Sequence, residues 1–247
     1  MRLEIDLGNT LLKWRLVENE QRVDGGQFSL TNLEAWLAGM QSQLSSIWIS
    51  SVAGDAINYQ LAQRLQVHFG TTAEFARVTG SAAGLVNAYA QPERMGVDRW
   101  LAMLAAWSRF GTALLVVDAG SAITIERISA DGHYLGGSIL AGFQMQQNTL
   151  LGRTARVRFE PAPGDPIKGG VDTAACVASG AELVLRGLAL QLEELARELG
   201  PDGAAATIVV TGGDALHLGE YLETDLPVEY LPELVMDGLK LAKRESV

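Results

Sequence analysis

Residues 6–13 of this 247-residue chain read Asp-Leu-Gly-Asn-Thr-Leu-Leu-Lys, which puts an acid, an amide, a hydroxyl and an amine around one glycine between two apolar runs. Two structures suit such a set. One is a β-hairpin whose turn needs Gly8 and Asn9. The other is a phosphate cradle. Binding a nucleoside triphosphate takes backbone amides that can approach the phosphate oxygens, a divalent ion, and a positive group at the terminal phosphates. Gly8 has no Cβ to block that approach. Asn9 and Thr10 offer side-chain donors, and Lys13 can reach a phosphate as a point charge. Asp6 can hold a hydrated Mg²⁺, an ion that prefers carboxylate and water ligands. Asp-x-Gly is a common turn, so this stretch alone leaves both readings open.

The arrangement recurs over residues 112–140. A strand ends at Asp118, Gly120 and Ser121 form a turn, and the next strand carries Thr124 before a second turn at Asp131-Gly132. Asp6-Leu7-Gly8-Asn9-Thr10 aligns with Asp118-Ala119-Gly120-Ser121-Ala122. Two three-stranded meanders that each open on Asp-x-Gly indicate an internal duplication, and two such hairpins facing each other would clamp phosphates from both sides. The pair favours the cradle. A third element, Thr-Gly-Gly at 211–213, ends an apolar strand; Gly212 and Gly213 either let a flat ring such as adenine lie on the backbone or make a plain strand-to-helix turn. A fourth, Met-Gly-Val-Asp-Arg-Trp at 95–100, opens an amphipathic helix. An acid in a first helical turn suits the macrodipole, which alone could account for Asp98. Arg99 gains nothing from that position, which hints at a binding role. Adjacent helical residues point about 100° apart, so the two would address different parts of a substrate. One would take a hydroxyl proton while the other held a carboxylate or phosphate oxygen.

Composition narrows the partners. A net charge of −10 argues against nucleic acid, whose phosphates need clustered Lys and Arg. The single cysteine, Cys176, excludes a disulfide framework and reads as a small core residue in a reducing compartment. Glu4 and Asp6 fall where an export signal would be basic and then apolar, and no apolar run is expected to reach the roughly 18 residues of a membrane span. A cytoplasmic protein without membrane or nucleic-acid partners is expected. There is neither a G-x-x-x-x-G-K-[ST] loop nor a G-x-G-x-x-G opening a βαβ unit. His68, His133 and His217 have no ligand spacing and read as surface or turn residues.

The elements that must position these residues follow from turn signals and periodicity. The first part reads β-β-β-α-β-α, with helices over 29–44 and 55–69 and a strand at 46–52. The second opens on the repeated meander and continues with a helix over about 171–199, a strand ending at Thr211, a helix near Asp214 and a final helix from about 233. Strands alternating with helices imply an α/β fold. The division falls near residue 111, giving domains 1–111 and 112–247.

In this order and spacing, "DLGNTLLK", "GVDR", "DAGSAIT" and "TGG" resemble the type III pantothenate kinases, over nearly the whole chain. That family belongs to the acetate and sugar kinase, heat-shock ATPase and actin superfamily, so the resemblance implies duplicated βββαβα units forming two ribonuclease H-like domains. It implies phosphorylation of pantothenate by ATP, the first step of coenzyme A biosynthesis. The turn from Asp6 to Lys13 resembles the first phosphate motif, with Asp6 on Mg²⁺ through water. Asp118 is similar to the ligand of a monovalent cation, K⁺ or NH₄⁺, and Ser121 to an ATP contact in the second phosphate motif with Gly120 and Thr124. Gly212 and Gly213 would take the adenosine. Gly96, Val97, Asp98 and Arg99 resemble the pantothenate segment, with Asp98 as proton acceptor. Tyr89 matches a substrate-binding tyrosine. Thr173, which otherwise reads with Asp172 as part of a helix cap, matches a threonine contributed across a homodimer interface near the substrate. One departure is Ala141, which stands where the family often has proline before a glycine, a change that loosens a turn and removes no catalytic group. Another kinase of the superfamily would share both Asp-Gly hairpins but lack Gly-x-Asp-Arg with its upstream tyrosine. A nonenzymatic regulator would have lost Asp6, Asp98 or Asp118; all three are present.

Overall fold

Alternation along β1 (Arg2–Leu7) sends Leu3, Ile5 and Leu7 into a core and leaves Arg2, Glu4 and Asp6 on the other face of the sheet. β2 (Leu12–Glu18) pairs antiparallel with β1, and β3 (Gln21–Phe28) with β2. β4 (Ser46–Ser51) then lies parallel to β1, and β5 (Ala73–Arg77) parallel to β4. Between them run α1 (Leu33–Gly39) and α2 (Asp55–Phe69), whose Leu37, Leu61 and Leu65 close the core over Ile47, Ile49 and Phe75. The computed structural model describes residues 1–8, 11–153, 164–200, 204–222 and 225–246.

A small hairpin, β6 (Ser81–Ala82) and β7 (Leu85–Val86), precedes α3 (Val97–Phe110), which is buried from Arg99 to Ala106. The meander then repeats as β8 (Leu114–Ala119), β9 (Ala122–Ile128) and β10 (Tyr134–Ala141). α4 (Phe143–Arg153) and α5 (Thr173–Leu199) follow, then β11 (Thr207–Thr211), α6 (Ala215–Gly219) and β12 (Val228–Tyr230). The sheet orders are β13-β5-β4-β1-β2-β3 and β10-β9-β8-β11-β12. Apart from the added edge strand β13 (Lys243–Ser246), the first order repeats the second, with antiparallel pairs within each meander and parallel pairs beyond it.

The chain forms two compact units, Met1–Arg109 with Glu233–Val247, and Phe110–Pro232. The expected division near 111 assigns the last fifteen residues to the second unit; they pack in the first. β13 pairs with β5, and Gly238, which ends the single-turn α7 (Leu234–Gly238), lies so close to the Leu101 carbonyl that a Cβ would overlap it. Glu233 and Asp237 each accept from Arg15, at 2.7 and 2.8 Å, and Arg15 also donates to buried Glu4 at 2.6 Å. Burial opposes the Arg15 charge, yet Glu4, Glu233 and Asp237 hold it well above the ordinary arginine range.

Several expectations are corrected. The final helix is one turn followed by a strand. The helix expected over 29–44 is a 3-10 turn (Leu30–Asn32) plus α1, because Met40 after Gly39 is extended (φ −94°, ψ 113°). α4 is not among the expected elements. Cys176 is exposed, its Sγ 3.3 Å from the Gly170 carbonyl. α5, of 27 residues, is long and apolar enough by length and composition to cross a membrane; its Leu185, Ala189 and Leu192 lie in the core of the second unit. His217 is bonded to Glu182 of α5 at 2.9 Å, and Tyr221 donates to the same carboxylate at 2.8 Å.

Candidate active site

In the first unit, the Gly8 amide donates to the Leu11 carbonyl at 3.1 Å and closes the turn between β1 and β2. Asn9 and Thr10 lie outside the described residues. Leu7 pairs with Leu12 and Asp6 with Lys13, so the carboxylate and the ammonium stand side by side on the polar face of the sheet. On the other side Asp6 pairs with Ser50 of β4. One row across three strands thus reads hydroxyl, carboxylate, ammonium. Among the described residues, a Cβ at Gly8 would meet only the Leu11 carbonyl, at 3.5 Å.

The same unit assembles the Gly-Val-Asp-Arg segment with its tyrosine. Asn87 is buried; its Oδ1 accepts from the Tyr89 amide at 3.0 Å and its Nδ2 donates to the Thr79 carbonyl at 3.4 Å, which fixes the chain at Tyr89. Arg99 is 8% exposed and donates from its guanidinium to the Tyr89 hydroxyl at 3.1 Å. Asp98 Oδ1 accepts from the Arg99 amide at 2.8 Å and folds back over Gly96, where a Cβ would sit 2.6 Å from it. A side chain at 96 would therefore push the Asp98 carboxylate from this position. Val97, the first residue of α3, is buried and anchors the helix start.

In the second unit the Gly120 amide donates to the Ala122 carbonyl at 3.1 Å, and the Gly142 amide to the Ser121 carbonyl at 3.1 Å. Asp118 pairs with Thr124 of β9 on one side and Thr211 of β11 on the other. Gly212, at φ 96°, presses against this turn: a Cβ there would overlap the Ala119 carbonyl and an Asp118 carboxylate oxygen. The Asp214 amide donates to the Ala119 carbonyl at 2.8 Å, so Gly212 and Gly213 are held beside Asp118 from both ends. Gly142 is as tightly placed, since a Cβ would overlap the Gly120 carbonyl. Thr173 opens α5 and is exposed; Asp172 is the cap, its carboxylate accepting from the Ala175 amide at 2.9 Å. Thr173 lines a cavity of about 720 Å³ with Cys176, Val177 and Val184, whose lining includes neither Gly120 nor Gly212.

Three contributors carry no mark in the motifs. Asn87 is visible only as a polar residue near Tyr89, Gly142 only as the end of a glycine-rich strand, and Ser50 only when β4 and β11 are compared.

Charge and donor types suit a phosphate ligand. Each unit offers a closed glycine turn beside a strand-end aspartate, and the first adds Lys13. Asp6 is a hard oxygen donor of the kind Mg²⁺ prefers, and a buried hydroxyl without a partner, Ser50 Oγ, lies next to it in register. The donor set therefore fits a hydrated divalent ion.

A sequence profile of the type III pantothenate kinase family matches residues 2–198. A type III pantothenate kinase of Marinobacter nauticus is 35% identical over 241 residues, 97% of each chain. Among solved structures, a Campylobacter jejuni protein described as a Baf family transcriptional activator superposes with TM-score 0.60 at 24% identity, covering 96% of this chain and 95% of that one. A Sinorhizobium meliloti protein described as a 2-dehydro-3-deoxygalactonokinase superposes with TM-score 0.56 at 14% identity over 97% of both chains. These likenesses show the fold: mixed α/β, with two ribonuclease H-like units. With the family profile spanning most of its length and a curated relative matching it end to end, the chain belongs to the type III pantothenate kinase family.

Proposed function

We propose that this chain transfers the γ-phosphoryl group of ATP to the primary hydroxyl of pantothenate, the opening step of coenzyme A biosynthesis. The observation that carries the reading is local to the first unit: Asp98, folded over Gly96, stands beside an Arg99 that is bonded to Tyr89. A kinase of another specificity has no need of that trio, whereas both glycine turns are general to the superfamily.

Asp98 accepts the hydroxyl proton as the oxygen attacks phosphorus, a role worth roughly 10² to 10⁴ in rate. Arg99 and Tyr89 hold the substrate, Arg99 through its charge and Tyr89 through its hydroxyl, and Gly96 and Val97 supply the backbone against which it lies. Gly8, with Asn9 and Thr10, and Gly120, with Ser121 and Thr124, present donors to the phosphates, and Lys13 supplies positive charge at the terminal one. Gly212 and Gly213 receive the adenosine. Such transfer depends on positioning and charge neutralisation more than on covalent help.

Asp6 would hold a divalent ion through water and Asp118 a K⁺ or NH₄⁺ ion, and these would supply the neutralisation that a chain of net charge −10 otherwise lacks. We further propose a cytoplasmic homodimer. Exposed Leu183, Val184 and Leu190 on α5, beside the cavity that Thr173 lines, give it an apolar face to bury. Thr173 would then serve the substrate site across that interface.

The test is ADP release with ATP, Mg²⁺ and pantothenate, with and without K⁺. ADP release that needs pantothenate and rises with K⁺ is expected. Release that ignores pantothenate, or that follows a sugar instead, would overturn the substrate. No release under any of these conditions would favour a nonenzymatic role.

A further inference from the structure

Ser50 is fully buried, and its hydroxyl has no hydrogen-bond partner. Its neighbour Ser51, on the other face of β4, is fully engaged: Oγ donates to Asn58 Oδ1 at 2.6 Å and accepts from the Ala53 amide at 3.1 Å. A buried hydroxyl left unpaired carries its desolvation cost uncompensated. Among the described residues the other unpartnered buried side-chain atoms are on Trp36, Trp100, Glu193 and Arg244. Ser50 is the one in register with a carboxylate of the candidate site, since Asp6 is its paired residue on β1.

Paired residues on neighbouring strands point to the same face, and strands lie about 4.8 Å apart. A serine and an aspartate at that separation can meet after simple side-chain rotations. An ionised carboxylate has about four acceptor positions, so Asp6 can accept from Ser50 while facing an ion. The second unit repeats the arrangement: Thr211, 3% exposed, stands in the same parallel pairing with Asp118. A hydroxyl on the inner parallel strand beside the strand-end aspartate is thus present in both copies.

We infer that Ser50 is a positioning residue whose hydroxyl donates to the Asp6 carboxylate when Asp6 holds the hydrated Mg²⁺ of the nucleotide. The inference rests on the proposed role of Asp6 in ATP binding. Partners that orient a metal-holding carboxylate typically alter metal affinity or activity by about 10- to 100-fold when removed.

The experiment compares the wild-type chain with Ser50→Ala and Ser50→Cys. The first arm measures the Mg²⁺ concentration for half-maximal turnover. Both variants are expected to raise it about 10-fold or more, with the KM for pantothenate unchanged. Cysteine fills the same space but is a weak donor, so recovery in Ser50→Cys alone would mean that Ser50 acts by volume and would overturn the inference. The second arm needs no pantothenate: it measures how far Mg²⁺ raises the Tm of the ADP-bound chain. That increment should shrink in both variants while stabilisation by ADP alone persists. If Ser50 only fills space, Ser50→Ala sheds an unpaired hydroxyl, raises the Tm of the free chain and keeps both Mg²⁺ responses, which overturns the inference. A wild-type chain that shows the Mg²⁺ increment but does not turn over pantothenate would sink the proposed substrate and leave the Ser50 reading to be decided by the thermal arm.

Discussion

The two copies of the meander place an aspartate at the same point and surround it differently. In the first, four residues separate the last paired positions, Leu7 and Leu12, and the residue facing Asp6 is Lys13. In the second, three residues separate Ala119 from Ile123, and Thr124 faces Asp118. In the first turn a Cβ on Gly8 would meet only ordinary contact among the described residues. The second is clasped by Gly142 and Gly212, neither of which has room for one. On the proposed reading, duplication has separated two tasks: the first unit would work through charged side chains, Asp6, Lys13, Asp98 and Arg99, and the second through a backbone fitted closely around Asp118. Removing a charge in the first unit should therefore harm turnover without harming the fold. Adding a methyl group in the second should harm both.

The largest effect is expected at Asp98. Asp98→Asn keeps the shape over Gly96 and loses the proton acceptor, so kcat should fall by roughly 10² to 10⁴ with the KM for pantothenate and the Tm near wild type. An undiminished kcat would remove Asp98 from the chemistry and the first unit's claim to it.

Next come the two residues that face the aspartates. A charge-assisted hydrogen bond contributes about 1.5 to 3 kcal/mol and a neutral one about 1. Lys13→Met should therefore lower kcat/KM for ATP about 10- to 100-fold, and Thr124→Val only about fivefold. Equal losses would show that the side-chain difference across the duplication is immaterial.

The fitted backbone is tested by methyl addition. Gly212→Ala forces an L-residue into positive φ, which costs about 1 to 2 kcal/mol before the overlap with Ala119 and Asp118 is counted. Its urea midpoint should drop and its KM for ATP should rise. Gly8→Ala meets neither obstacle in the fold, so its midpoint should stay at or slightly above wild type. A Gly8→Ala chain destabilised as much as Gly212→Ala would erase the contrast between the two turns.

Local signals made much of this legible. α2 has the expected bounds because its last turn meets Gly70, which takes φ 70° and caps it through the Gln66 carbonyl. The duplication showed because Asp-x-Gly stands at the first turn of both meanders, at 6–8 and 118–120. What local pattern could not reveal was set by partners distant in sequence. The apolar spacing that suggests a helix to Leu44 is real, since Leu44 packs on the core, but Gly39 and an extended Met40 end the helix first. The segment after 233 reads as helical until the free edge of β5 recruits Lys243–Ser246 as a strand. Cys176 reads as core from its small apolar neighbours, yet it falls on the outward side of α5. Ser50 gains meaning only from a register between strands some forty residues apart.

The smallest effect lies in how each unit handles its buried charges. The first unit's cluster centres on Arg15, whose carboxylate partners hold it above the ordinary arginine range despite its burial. The second unit's cluster is Glu182 with His217 and Tyr221 between α5 and α6. There burial, reinforced by the hydrogen bond to Glu182 and by its charge, pushes the Tyr221 phenol from 10.0 up to about 12. Because the folded pKa is raised, the unfolded chain releases this proton first as pH climbs. The stabilisation is present in full below about pH 10 and is lost between there and about pH 12. Tyr221→Phe has no proton to release, so its urea midpoint should decline less steeply than wild type across that alkaline window. The two should run parallel below it, where other groups titrate equally in both. Parallel curves throughout would mean that Glu182 does not hold the phenol, and the alkaline weakness would have to be sought outside the second unit's cluster.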